Sequence, residues 1–373
     1  MEFCIFGKYY CKRWWRMGTI SLTTKIYFGK GAVARLRDLG AKRIFLVTDA
    51  FFFQNGIAKE ILHAVGGEGK IFHGVLPDPS VSLVAEGSKM AQEFAPDMLL
   101  ALGGGSSMDC AKGILLSLPQ RPVFVAVPTT SGTGSEVTAF SILTHEGVKH
   151  PLIDPTLRPD YAILDDDLLQ NLPPKLIAEA GMDALTHCME AVVSKEGDLY
   201  SQALAVTAAE TLMELLPRSF DGDKSVRGNI HLAATLAGIS FDHAGLGVLH
   251  AVIHALGGAF HIPHGRLGGV LLPHVMVLNE KVSLHQYARV ARACGMEGAW
   301  EKTAVRNLRG AICRLRKHLG LPSTLREAGI ESKELEERME EIVSAAEQDA
   351  CLLGNPRSVS REEMRKLLRE AMG

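Results

Sequence analysis

The chain has 373 residues, of which 47% are hydrophobic, and its formal net charge at pH 7 is −2. That length is sufficient for two domains with substantial hydrophobic cores. A charge this close to neutral gives no electrostatic basis for binding nucleic acid or an anionic membrane surface, so neither is expected as a partner. The seven cysteines form no CxxC pair, which is typical of reduced thiols and predicts a cytoplasmic protein.

The first 17 residues, MEFCIFGKYYCKRWWRM, differ in composition from the rest of the chain and are predicted to be an N-terminal extension. They have neither an unbroken apolar core nor a small-residue cleavage site, so they do not fit a signal peptide. No run in the chain is apolar enough to predict a membrane span. Two interpretations are open: an amphipathic tail that binds a partner, or a start of synthesis at Met17.

Residues 18–176 are predicted to form an α/β dinucleotide-binding domain. Short apolar runs alternate with helical patterns, which predicts a largely parallel sheet from IFLVTD, IFHGV, DMLLALGGG, VFVAVPTT and YAILD. After DMLLAL, the glycines Gly103, Gly104 and Gly105 let the backbone approach a pyrophosphate. Ser106 and the following helix N-terminus offer donors to it. Tight turns use glycine equally often, but the strand before this triplet and the helix after it favour a cofactor site.

Asp49, at the end of IFLVTD, is the acidic candidate for the cofactor ribose. In the usual dinucleotide fold the glycine-rich turn comes first and the acidic residue about 20 residues later, whereas here the acidic residue precedes the glycines. Its carboxylate can accept a hydrogen bond from a ribose 2′-hydroxyl and would repel a 2′-phosphate, so NAD(H) is expected over NADP(H). Asp49 is also a candidate cap for the next helix, and the two roles are compatible.

Residues 177–373 are predicted to form an all-α metal-binding domain, because helical periodicity takes over after the proline pair of NLPPKLIAEAG. His250 and His254 lie four residues apart on a helix predicted over 246–256, so they share one face. The glycine pair after this helix is expected to end it, and His264 to return towards that face from a loop. Taken alone, such a histidine pair is more often a hydrogen-bonded core feature than a metal site.

A second stretch favours the metal. In GMDALTHCMEAVVS, Asp183 and His187 also lie four residues apart, on a helix with an apolar buried face. One carboxylate and three imidazoles form a mixed oxygen and nitrogen set suited to Fe(II) or Zn(II).

The motifs GMDALTH, LHAVIHALGG, PHG, GGGSSMDCAK and PTTSGTGSEVT together resemble the iron-containing (group III) alcohol dehydrogenases, over nearly everything after Thr23. A similarity that begins there favours the start at Met17. The resemblance implies that the metal ligands are Asp183, His187, His250 and His264. It implies that His254 lies beside the nicotinamide and substrate, and a catalytic proton relay by His254 is our hypothesis. It further implies cofactor contacts at Asp78, Thr129, Thr130, Thr133 and Lys149, although asparagine is frequent in relatives at the position of Asp78.

The activity implied by this resemblance is metal-dependent hydride transfer between NAD(H) and a short-chain primary alcohol or aldehyde. The segment IHALGGAFHIPHG is similar to that of 1-propanol and ethanol dehydrogenases. Some relatives are associated with bacterial microcompartments, and homo-oligomers are expected. The enzymatic alternative is a maleylacetate reductase that needs no metal, against which the complete ligand set argues. The other alternative is a non-catalytic NAD-binding assembly module with a structural metal. His261 is a further candidate for the substrate pocket.

Overall fold

The computed structural model describes residues 20–146 and 148–373, so the extension predicted over residues 1–17 lies outside the described residues. The strands of the described chain are β1 (Lys25–Phe28), β2 (Arg43–Asp49), β3 (Glu68–Val75), β4 (Met98–Gly103), β5 (Val123–Pro128), β6 (Phe140–His145), β7 (Val148–Ile153) and β8 (Tyr161–Leu164). The helices between them are α1 (Ala50–Gln54), α2 (Ile57–Val65), α3 (Val81–Phe94) and α4 (Gly105–Ser117). Short 3-10 helices cover Ala32–Leu39, Ser135–Val137, Pro155–Leu157 and Asp166–Leu169.

Six of these strands form one parallel sheet in the order β1-β8-β5-β4-β2-β3, and β6 pairs with β7 as an antiparallel hairpin. The five apolar runs singled out in the sequence are all strands of the parallel sheet, so the predicted α/β layer is confirmed. Every residue of β4 is buried, which is why it reads as a continuous apolar run. Parallel pairing brings the carboxyl ends of β2, β4 and β5 to one edge of the sheet.

The second half of the described chain is helical. Its helices are α5 (Pro174–Ala191), α6 (Leu199–Phe220), α7 (Arg227–Ala244), α8 (Val248–Phe260), α9 (His264–Ala293), α10 (Glu301–His318), α11 (Ser332–Glu337), α12 (Met339–Gln348) and α13 (Arg361–Met372). Short 3-10 helices cover Lys224–Val226 and Ala350–Gly354. These helices surround one large hydrophobic core, so the predicted helical domain is confirmed. The boundary between residues 176 and 177 stays a prediction, and both residues lie inside α5.

Two local predictions around α8 were wrong. The helix continues through Gly257 to Phe260 and ends at His261, which has a left-handed φ of 55°. The helix passes through Gly257 without a break, and a Cβ there would make only ordinary contacts, the nearest at 3.5 Å from the carbonyl oxygen of Ile262. His264 does not lie in a loop but is the first residue of α9, which begins directly after Pro263. His261 is exposed.

No single helix among the described residues has both the length and the apolar composition required to cross a membrane. A bent pair, Lys224–Ala244 with Val248–Phe260 at 105°, meets that requirement by length and composition only when its two members are taken together.

Candidate metal and cofactor site

Two helices bring three of the four predicted metal ligands together. Asp183 and His187 project from α5, and His250 projects from the first turn of α8. All three side chains are buried. Each offers a ligand atom, and these atoms lie within 4.8 Å of one another. The spacing of four residues between Asp183 and His187 therefore puts both on one helix face, as the sequence predicted.

The donor atoms of this group converge on a small volume. The ring centroids of His187 and His250 are 4.5 Å apart with nearly parallel planes, and Phe241 stacks on the His187 ring, also at 4.5 Å. Nε2 of His250 lies 3.9 Å from Oδ1 of Asp183. Such a set of nitrogen and oxygen lone pairs suits Fe(II) or Zn(II).

Three buried atoms in this group have no hydrogen-bond partner among the described residues: Oδ1 of Asp183, Nδ1 of His187 and Nε2 of His250. A buried polar atom left unpaired costs about 1–3 kcal/mol. Their concentration in one place is explained if they share a cation. The residues present therefore fit a divalent metal.

Glu190 is hydrogen-bonded to the ring of His250. It lies on α5 one turn beyond His187, and its Oε2 is 2.7 Å from Nδ1 of His250. It also accepts hydrogen bonds from the backbone N–H groups of Leu249, at 2.7 Å, and His250, at 3.2 Å. Because Gly247 has no side chain with which to cap α8, Glu190 does so. Burial raises the pKa of Glu190 to about 7. In its ionised form Glu190 accepts from Nδ1 of His250, which fixes the tautomer and leaves Nε2 with its lone pair.

Burial sets the protonation of these side chains. It raises the pKa of Asp183 to about 7 and lowers the pKa of His250 to about 3. It also lowers the pKa of His187 well below its usual value. At neutral pH the imidazoles are therefore uncharged and keep a lone pair, which metal binding requires.

His264 and His254 lie next to this group. The His264 ring centroid is 5.2 Å from that of His254, which is 6.0 Å from that of His250. In the described part of the chain, His264 is outside the set of three whose ligand atoms lie within 4.8 Å of one another. Its part as the fourth ligand stays a prediction.

His254 belongs to a second group, with Asp349 and Cys351. Nδ1 of His254 is 2.7 Å from Oδ2 of Asp349, whose Oδ1 accepts a hydrogen bond from the backbone N–H of Cys351 at 2.8 Å. Burial, the largest single effect, would raise the pKa of Asp349, but the hydrogen bonds with His254 and Cys351 and the charge of His254 together outweigh it, and the pKa falls to about 2. Asp349 is therefore a carboxylate that orients the His254 ring. No local pattern in the sequence indicates this contact, since 95 residues separate the pair.

We expect Asp349→Asn to lower kcat by about tenfold while the KM for NADH changes little, because a neutral amide no longer fixes one tautomer of His254. Steady-state kinetics with propionaldehyde measure both values. The matched control is Glu347→Gln, an exposed carboxylate two residues earlier that pairs with Arg361. A kcat for Asp349→Asn within about twofold of the control would contradict this function of Asp349.

The predicted cofactor residues meet where β4 and β5 end. Gly103 has a φ of 142°, and its carbonyl accepts a hydrogen bond from the N–H of Thr129 at 3.0 Å. A Cβ on Gly105 would lie 2.9 Å from Cγ2 of Thr133, so the glycine turn and the threonine loop can pack together only without a side chain there. The turn and the loop together contain Gly103, Gly104, Gly105, Ser106, Thr129, Thr130 and Thr133.

Asp49 lies beside this turn. Its Oδ1 accepts hydrogen bonds from the backbone N–H groups of Phe51 and Phe52, so it does cap α1. A Cβ on Gly103 would lie 3.8 Å from its Oδ2, so the second carboxylate oxygen is next to the glycine turn. Capping and a contact with the cofactor ribose are therefore compatible in this geometry.

The remaining two cofactor candidates pair with each other. Nζ of Lys149 on β7 lies 2.7 Å from Oδ1 of Asp78. A Cβ on Gly257 of α8 would lie 3.8 Å from the same Nζ. Lys149 therefore extends from the hairpin to the surface of the helical domain.

A buried lysine that the sequence analysis missed joins the two halves of the cofactor region. Lys112 on α4 is fully buried. Its Nζ contacts the backbone carbonyls of Ser135 at 2.7 Å, Thr138 at 3.0 Å and Phe140 at 2.6 Å. The hydroxyls of Ser135 and Thr138 lie at 2.8 Å and 3.3 Å. One cation therefore links the helix after the glycine turn to the end of the threonine loop. The motif GGGSSMDCAK contains this lysine, but its apolar neighbours give no indication of its contacts.

Residues 23–166 match the family model "Iron-containing alcohol dehydrogenase", and residues 177–372 match "Fe-containing alcohol dehydrogenase family, C-terminal". The 1-propanol dehydrogenase PduQ of Salmonella typhimurium is 38% identical over 370 residues, covering 95% of this chain and 100% of the relative. An NADPH-dependent butanol dehydrogenase of Clostridium saccharobutylicum is 37% identical over 376 residues, which cover 94% of this chain and 97% of the relative. A crystal structure of a 1,3-propanediol oxidoreductase matches with a TM-score of 0.90 at 32% sequence identity, and the match covers 96% of this chain and 100% of that structure. The chain therefore belongs to the iron-containing alcohol dehydrogenase family.

Proposed function

We propose that this protein is a metal-dependent alcohol dehydrogenase that transfers hydride between NAD(H) and a short-chain primary alcohol or aldehyde. The observation that carries the proposal is that Asp183, His187 and His250 offer ligand atoms within 4.8 Å of one another and that each has a buried polar atom without a hydrogen-bond partner among the described residues. His264, at the start of α9 and beside His254, is proposed as the fourth ligand. Family membership supports the reaction, and the names of the relatives, which act on propanol and butanol, support the substrate class.

A divalent metal held by Asp183, His187, His250 and His264 would supply Lewis-acid polarisation of the alcohol or aldehyde oxygen. The protein side chains set the protonation of the ligands and provide a path for the proton. Glu190 keeps Nε2 of His250 free of a proton, and burial keeps the His187 and His250 rings neutral. His254, with Nδ1 held by Asp349, has Nε2 left to move the hydroxyl proton towards solvent.

The cofactor region supports NAD(H). The glycine turn leads into α4, whose N-terminal N–H groups suit a pyrophosphate. Asp49 keeps one carboxylate oxygen beside this turn, where it would accept from a 2′-hydroxyl and repel a 2′-phosphate. The butanol dehydrogenase relative is NADPH-dependent, so the preference for NAD(H) is proposed for this chain on the basis of Asp49.

The decisive test is anaerobic oxidation of NADH with propionaldehyde by metal-stripped protein, before and after addition of Fe(II) or Zn(II). We expect turnover to appear with added metal and to be lost again in His264→Ala. The working ion is the one that restores activity. Turnover that needs no metal, or that occurs only with maleylacetate, would contradict the proposal.

We further propose a cytoplasmic or microcompartment location and a homo-oligomeric state. Five cysteines in the described chain are free, in keeping with a reducing compartment, namely Cys110, Cys188, Cys294, Cys313 and Cys351. Light scattering coupled to size-exclusion chromatography measures the oligomeric state, and a monomeric mass would contradict that part.

A further inference from the structure

The ion pair between Asp78 and Lys149, two of the predicted cofactor contacts, is close to the proposed metal site but takes no part in the metal binding or proton transfer described above. Its Nζ to Oδ1 distance is 2.7 Å, and the two side chains differ in exposure, at 44% for Asp78 and 11% for Lys149. A lysine this buried has lost most of its hydration. It depends on the carboxylate for compensation of its charge.

Lys149 borders the space next to His264. A Cβ on Gly257 would lie 3.8 Å from Nζ of Lys149 and 4.0 Å from Cδ2 of His264. Gly257 itself lies three residues beyond His254 on α8, and so on the same face of that helix. The ammonium group therefore lies near the proposed catalytic and metal-binding imidazoles, where the hairpin of β6 and β7 meets α8.

Asp78 is held in an uncommon conformation. Its backbone φ is 54°, a value that residues other than glycine rarely adopt, and it lies between Pro77 and Pro79. The carbonyl of Pro79 accepts a hydrogen bond from the N–H of Thr144 on β6, which ties this segment to the hairpin that carries Lys149. Strain of this kind is retained where the surrounding structure fixes it, and here it orients the carboxylate towards Lys149.

Another carboxyl near this pair, Asp109, does not replace Asp78. Burial raises the pKa of Asp109 to about 7, and among the charges acting on it the effect of Lys112 exceeds that of Lys149. It is therefore only partly ionised at neutral pH. Asp78 is the carboxylate in direct contact with Lys149.

We propose that Asp78 determines the charge specificity of the pocket: by neutralising Lys149 it makes the site favour uncharged alcohols and aldehydes over those that carry a carboxylate. This inference rests on the proposed function. Without Asp78, the Lys149 ammonium would be an unpaired cation beside the cleft and would attract an anionic substrate tail. Charge selection would then depend on one residue outside the metal ligands.

The test compares two alcohols of the same length, 4-hydroxybutyrate and 4-hydroxybutyramide, which differ in the charge of one end. Dissociation constants are measured by calorimetry on the metal-loaded protein with NADH present, so that no turnover occurs. In Asp78→Asn we expect the binding ratio to shift about tenfold towards the acid at low salt, and the shift to shrink in high salt. Asparagine tolerates a positive φ, so this variant should fold.

Three further variants make the test specific. Asp78→Asn combined with Lys149→Met should return the ratio to that of the wild type, and Lys149→Met alone should not favour the acid. Asp38→Asn, an exposed carboxylate that pairs with Arg35, is the matched control and should leave the ratio unchanged. The affinity for NADH is measured in parallel, because the cofactor pyrophosphate is the other anion that Lys149 could attract.

An unchanged ratio in Asp78→Asn, or a gain confined to NADH affinity, would overturn the inference while leaving the proposed function intact. If the metal-loaded wild type bound neither alcohol and reduced no aldehyde, the proposed function itself would fail and the inference with it.

Discussion

Replacing Glu190 with alanine is expected to weaken metal binding by about 10- to 100-fold, because a carboxylate bonded to the second nitrogen of a histidine ligand orients that ligand. Glu190 accepts from Nδ1 of His250 and from the backbone N–H groups of Leu249 and His250. Without it, Nδ1 and the first turn of α8 lose their buried acceptor. The free energy of unfolding should therefore also fall, by about 1–3 kcal/mol for each donor left unpaired.

Calorimetric titration of the metal-stripped protein with Zn(II) measures the metal affinity, and urea denaturation measures the free energy of unfolding. Glu190→Gln separates the two effects, since its amide oxygen still accepts from the backbone while its charge is lost. The matched control is Glu214→Ala, an exposed glutamate on α6. A Zn(II) affinity equal to that of the control in both Glu190 variants would show that Glu190 serves only to cap α8.

The extent to which the fold was predictable depends on how each element is buried. Strands β2, β4 and β5 are buried on both faces and give continuous apolar runs, which are unambiguous next to helical patterns. The edge strand β1 and the hairpin of β6 and β7 have mixed burial and were not predicted. The end of α8 was misplaced because Gly257 and Gly258, which often terminate helices, lie inside this helix, which ends at His261.

The site divides in the same way. Asp183 and His187 were predictable because four residues separate them on one helix, and that same face includes Glu190 three residues later. The spacing would have identified Glu190, since a carboxylate one turn from a histidine ligand can reach a second ligand on a neighbouring helix. Asp349 and Lys112 carry no such local pattern. Their partners depend on how α8 meets the segment after α12 and how α4 meets the threonine loop, and tertiary packing alone determines both.

Replacing Lys112 with methionine is expected to lower the free energy of unfolding by about 3–5 kcal/mol, the range typical when one partner of a buried charged network is removed. Methionine keeps much of the apolar stem but donates no hydrogen bond, so the carbonyls of Ser135, Thr138 and Phe140 would lose their shared donor. The same change should weaken NADH binding, because α4 and the threonine loop would no longer be fixed to each other. Urea denaturation followed by circular dichroism measures the stability. NADH fluorescence, at a temperature where the variant is folded, measures the binding.

The control for Lys112→Met is Lys89→Met, which removes an exposed lysine from the neighbouring helix α3. Its stability and NADH affinity should match those of the wild type, since exposed charges contribute little. A Lys112→Met protein within about 1 kcal/mol of this control would mean that the five oxygens around Nζ are satisfied in another way. If stability fell but NADH affinity did not, Lys112 would support the fold without positioning the cofactor residues. A loss of both is expected, because the glycine turn precedes the helix that carries Lys112 and the threonines precede the residues it binds.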